Sequence, residues 1–141
     1  MPKPQIVIDT NVLLAGLRSR RGYAFRLLQL VGTERFDINL SVPLVMEYES
    51  TLLRELPHLP VSRAVVAEVI NFHCAVANRH QIFFLWRPFL RDSKDDMVLE
   101  LALKAGCHYI VTYNKRDFAG VEKAFQVRVV DAGEFWRAIG A

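Results

Sequence analysis

Four acidic residues stand where apolar runs give way to the next element or on the first turns of helices. They are Asp9 in IVIDTNVLLAGL, Glu47 in SVPLVMEYESTL, Asp95 in RDSKDDMVLELAL and Asp117 in IVTYNKRDF. An unpaired carboxylate beside an apolar run is expensive to bury. Carboxylates gathered at one sheet edge also repel, each pair by on the order of 4 kcal/mol at roughly 4 Å and an effective dielectric of about 20. A divalent cation removes that penalty and supplies hydrolytic chemistry. The pattern therefore points to a site of the magnesium or manganese type.

Helical phase separates two of the neighbouring acids. In RDSKDDMVLELAL the buried face is expected through Val98, Leu101, Ala102 and Ala105. Asp95 leans over that face, whereas Asp96 falls on the flank, so Asp95 is the better ligand candidate and Asp96 a supporting residue or cap. Asp92 or Ser93 is placed to cap this helix, and acids in its first turn also complement the helix dipole. In SVPLVMEYESTL the apolar stripe reads through Val45, Tyr48, Leu52 and Leu56. Glu49 then projects into the stripe and Glu47 lies nearer the helix start, so pattern alone leaves both open. Thr112 and Asn114 could hold a water or a phosphate oxygen, and Asp117 could add charge through a water.

The elements that must position these groups alternate. Short β-prone runs are expected at 5–8, 36–40, 82–85, 109–112 and 127–130. Helices are expected at 12–17, 23–31, from Pro43 to about Leu56, from Ser62 to about Asn78, and at 94–105 and 134–139. Strands apolar on both faces and alternating with helices indicate an α/β sandwich around a mainly parallel sheet of four to five strands. Ligands in such sheets sit beyond the carboxyl ends of the strands, the address that Asp9, Asn114 and Asp117 share.

Composition narrows the classes. The 141 residues fit one domain, 1–141, and 52% hydrophobic content argues against disorder. No apolar stretch is long enough for a membrane span, and MPKPQ lacks the pattern of a signal peptide, so no membrane association and a cytoplasmic location are expected. A net charge of +3 and a pI near 9.1 permit a polyanionic partner. Arg18, Arg20 and Arg21 cluster after the first helix, and Lys94, Lys115 and Arg116 flank two acidic motifs, where a phosphate backbone would have to be held. Cys74 and Cys107 read as free thiols. His58, His73, His80 and His108 lack metal-ligand spacing. Phe83, Phe84, Trp86 and Phe89 read as core. No P-loop, dinucleotide-binding turn or nucleophile elbow is present.

Taken in order, the motifs D-T-N after a strand, E-Y-x-x-x-L, D-x-x-D-D-x-x-L-E-x-A and I-V-T-x-N-x-x-D-F resemble PIN-domain proteins. The resemblance is to the branch of VapC-like ribonucleases that act as toxins in toxin–antitoxin pairs. It runs from VIDTNVL to V-D-A-x-E-F, nearly the whole chain, and implies a PIN-like α/β/α sandwich. It also implies cleavage of single-stranded or loop RNA with Mg2+ or Mn2+ held by Asp9, Glu47 and Asp95, choosing Glu47 over Glu49. The family's fourth acid usually stands two residues after the strand's threonine, where this chain has Asn114, which favours one metal over two. Asn11, Thr112 and Asn114 are then expected to orient phosphate or water, with Asp96 and Asp117 in outer roles. Arg18, Arg20, Lys94 and Lys115 are expected to position RNA. A cognate antitoxin and a homodimer are implied partners, the dimer through the 23–31 or the 62–78 helix. The rival expectation is a non-catalytic PIN-fold module that binds RNA or an antitoxin.

Overall fold

The computed structural model describes residues 3–82 and 89–141. Five strands form one sheet in the order β3-β2-β1-β4-β5, with every pairing parallel. They are β1 (Gln5–Ile8), β2 (Asp37–Leu40), β3 (Asn78–Arg79), β4 (Tyr109–Val111) and β5 (Arg128–Val130). The helices are α1 (Thr10–Arg18), α2 (Tyr23–Gln29), α3 (Val42–Glu55), α4 (Arg63–Val76), α5 (Ser93–Lys104), α6 (Val121–Ala124) and α7 (Ala132–Ala138).

Alternation along β1 explains the layering, because successive side chains of a strand point to opposite faces. Val7 joins a core with Leu44, Tyr48 and Leu52 of α3, Ile70 of α4 and Leu99 and Leu101 of α5. Ile6 and Ile8 join a second core with Val12 of α1, Leu27 of α2 and Phe135 of α7. Both faces are thus covered, as an all-parallel sheet requires. The expected α/β/α sandwich is the observed fold.

Helix boundaries follow local chemistry. Ser41 caps α3 by accepting from the Leu44 N–H, with Pro43 in the first turn. Ser62 caps α4 through the Val65 N–H, and Asp131 forms a capping box with Glu134 at α7. The expected extension of α4 to Asn78 is not observed. Ala77 turns extended, at φ −77° and ψ 153°, and Asn78 and Arg79 pair with Asn39 and Leu40 instead. Of the strand expected at 82–85, Ile82 lies in no strand and the remainder falls outside the described residues. Phe83, Phe84 and Trp86 fall outside them too. Phe89 is 44% exposed rather than core, edge-on to Phe125.

The strand order reverses direction at β1, since the chain first builds outward through β2 and β3 and then returns to add β4 and β5. The crevice between the carboxyl ends of β1 and β4 is the switch point where parallel sheets take ligands.

Candidate active site

Asp9 ends β1 and caps α1, its Oδ1 accepting from the Thr10 N–H at 2.9 Å. Its backbone N–H donates to the Val111 carbonyl at 2.9 Å, continuing the β1–β4 ladder into the site. The Thr112 hydroxyl donates to Asp9 Oδ2 at 2.8 Å, and the Asn11 amide donates to the same oxygen at 3.2 Å. Burial raises the Asp9 pKa, while these donors pull it down. Asn11 also donates to Thr112 Oγ1 at 3.2 Å and accepts from the Tyr113 N–H at 2.9 Å. Its amide is therefore committed to joining the two strand ends. Thr112 is fully buried, so it orients Asp9 and cannot meet a phosphate.

Around Asp9 lies a pocket of about 310 Å³ whose lining includes Asn11, Glu47, Lys94, Asp95, Asn114 and Asp117. Three elements deliver these groups. Tyr48 is buried in the core, and its hydroxyl donates to the Ile8 carbonyl, which pins α3 to the end of β1 and leaves the adjacent Glu47 at the pocket. The buried face of α3 is Leu44, Tyr48, Thr51 and Leu52; Tyr48 and Leu52 lie on the expected stripe, whereas Val45 and Leu56 are only partly buried. Glu49 is exposed and lines a separate groove with Arg63 and Ile70.

Asp92 caps α5 through the Lys94 N–H at 2.8 Å, which presents Lys94 and Asp95 on the first turn. Asp95 is partly buried. Burial first, then the charges of Asp9, Asp117, Asp92 and Asp96, push its pKa up to about 7. The third element is the loop after β4. A short 3-10 turn, Lys115–Phe118, brings Asp117 into the pocket beside Asn114.

Other expected residues stand elsewhere. Asp96 neither caps α5 nor lines the pocket. It is buried, and its Oδ1 accepts from the Phe89 and Leu90 N–H groups at 3.1 and 2.8 Å, strapping the approach to α5. Lys115 pairs with Glu134 Oε1 at 2.7 Å, outside the pocket. Arg18 and Arg20 are exposed at the far end of α1, whose nine residues place Arg18 about 12 Å along the axis from the pocket end. Of the four expected phosphate-binding residues, Lys94 alone lines the pocket.

Sequence reasoning missed Thr51, Arg54, Glu55 and Asp92 as lining residues. Thr51 and Arg54 follow Glu47 by four and seven residues, the spacing of one helix face, so choosing Glu47 carried the signal for both. Thr51 Oγ1 donates to Glu47 Oε1 at 3.1 Å, and Arg54 Nη2 approaches Thr51 Oγ1 at 3.5 Å.

His80 bonds Asn39 and His108 accepts from the Gln5 N–H. Both cysteines are free, with burial pushing the Cys107 thiol up to about 12. A larger groove of about 410 Å³, lined by Val42, Val45 and Met46 among others, contains none of the acids.

Among the described residues, no three His, Cys, Asp or Glu side chains are drawn into a ready-made metal cage. The donor set nevertheless suits a hard divalent cation. The pocket offers carboxylate oxygens with an amide beside them, the oxygen donors that such a cation prefers.

Comparison with known proteins agrees with the fold. A solved structure of VapBC2 from Rickettsia felis, bound to a DNA fragment from their promoter, contains a chain that superposes with a TM-score of 0.59 at 11% identity. The match covers 90% of this chain and 97% of that one. No curated protein matches this chain significantly. Among the described residues, no helix is long and apolar enough to cross a membrane. The profile of the PIN domain matches residues 5–116, and the chain belongs to the PIN domain family.

Proposed function

We propose that the protein is a metal-dependent endoribonuclease that hydrolyses phosphodiester bonds in single-stranded or loop RNA, and that it is the toxin of a toxin–antitoxin pair. The observation that carries this reading is the meeting of Asp9, Glu47, Asp95 and Asp117 in one pocket at the switch point of the sheet. Family membership supports it, since PIN-domain nucleases generally use divalent metals. The VapBC2 complex lends support for an antitoxin partner.

Asp9, Glu47 and Asp95 would hold Mg2+ or Mn2+, with Asn114 and Asp117 on the same wall. A divalent cation there supplies positive charge that polarises a phosphate and acidifies water. The chain's own groups do the rest. Thr112, Asn11 and the Thr10 N–H fix both oxygens of Asp9 in advance. This pre-organises the carboxylate for charge that develops during reaction. Lys94 and Arg54 place positive charge at the pocket, where it can hold the backbone on either side of the scissile bond. Asp117, which lines the same pocket, would act on the cation or its water. Unpaired RNA fits an open pocket better than duplex does. Self-association belongs to the same proposal, with exposed Phe72 and Val76 on α4 and Tyr23 on α2 as contacts.

Cleavage of an end-labelled single-stranded RNA in Mg2+ tests the reading. Wild type is expected to cut and Asp9→Asn to lose about two orders of magnitude or more, as for loss of a principal charge-stabilising group. Equal activity in both removes the assignment. RNA binding without metal-dependent turnover would instead support the non-catalytic module.

A further inference from the structure

We propose that Lys94 is the resident counter-ion of the carboxylate pocket and trades Glu47 for an RNA phosphate when a divalent cation enters. The inference rests on the nuclease reading above and adds a coupling between metal and RNA.

Lys94 Nζ lies 3.7 Å from Glu47 Oε1, with the lysine side chain 61% exposed and the glutamate 22% exposed. The same glutamate oxygen accepts from Thr51. One acid of the pocket is therefore compensated from within the chain. Among the described residues, no ion pair is formed by Asp9, Asp95 or Asp117.

A long pair with an exposed lysine is weak, because water screens the ammonium and the lysine must be held in one rotamer. A doubly charged cation sharing Glu47 with Asp9 and Asp95 outcompetes a single ammonium at that distance. The displaced ammonium then stands on the pocket wall without its carboxylate, on a flexible stem, as a point charge suited to phosphate. Arg54 offers a second such charge from the face of α3 that carries Glu47 and Thr51. Metal entry thus prepares the phosphate-binding group, and by linkage bound RNA strengthens metal binding to the same degree.

Two titrations test this, with wild type and Lys94→Met, a substitution at an exposed position. Calorimetry with Mn2+ alone is expected to give roughly two- to fivefold tighter binding to Lys94→Met, because the competing ammonium is gone. Anisotropy with a phosphorothioate-substituted single-stranded RNA is expected to show a smaller Mn2+-induced gain in RNA affinity for Lys94→Met than for wild type. Mn2+ binding no tighter in the variant, or an equal Mn2+-induced gain in both proteins, overturns the exchange while leaving the nuclease reading in place. Wild type that binds no Mn2+ overturns both.

Discussion

Replacing Asp95 by asparagine should stabilise the metal-free protein, and should do so more at pH 8 than at pH 5.5. The Asp95 carboxyl is raised from 3.8 to about 7 by burial and by its acidic neighbours. The folded state therefore binds the extra proton across that window, and wild-type stability falls as pH rises through it. Below pH 3.8 both states are protonated and the effect vanishes. Above about 7 both are ionised and it is complete. In a fully buried group the difference would amount to about 4 kcal/mol, at about 1.4 kcal/mol for each pH unit. Asp95 is only partly buried, so solvent screening should leave about 1 kcal/mol at pH 8 and about half that at pH 5.5. Urea denaturation in the presence of a chelator measures both values. A variant no more stable than wild type at pH 8, or a gap that does not shrink with acid, would refute the claim that burial and acidic neighbours disfavour the ionised Asp95 carboxylate.

Three further substitutions probe what holds the site in place. Tyr48→Phe removes the buried hydroxyl that donates to the Ile8 carbonyl and should lower stability by about 1 kcal/mol in urea denaturation; an unchanged midpoint would mean that bond contributes nothing. Asp131→Ala dismantles the capping box of α7 and should also lose about 1 kcal/mol by thermal melting, with Asp131→Asn retaining most of it. Gly16→Ala would ordinarily steady a helix by about 1 kcal/mol. Here the new Cβ would lie 2.3 Å from Leu28 Cδ1 and 3.3 Å from the Ala24 carbonyl, so the gain should be cancelled or reversed where α1 meets α2. A melting temperature above wild type would contradict that packing.

Much of the architecture is legible in the sequence because its signals are local. The apolar run ending in Asp9, the Ser41–Pro43 start of α3 and the Ser62 start of α4 each follow from residue types a few positions apart. Strand β3 was not legible, because Asn78 and Arg79 are exposed polar residues recruited by backbone pairing with β2. Helix α6 has only four residues, too few to show a period. Phase left Glu47 and Glu49 both open because the stripe expected on α3 ran through Val45 and Leu56, which are only partly buried, whereas Leu44 is fully buried. The fate of the basic residues depends on tertiary contacts that spacing does not encode. Lys115 meets Glu134, nineteen positions away, while Lys94 meets Glu47 across two helices.

Asp9, Glu47 and Asp95 are proposed to hold a divalent cation together at the end of β1. Crystals soaked in Mn2+ and measured for anomalous scattering test this most directly. A manganese peak is expected between these three carboxylates, and it should disappear in Asp9→Asn. Manganese that saturates the protein in solution, yet leaves no peak among them, would contradict the proposal.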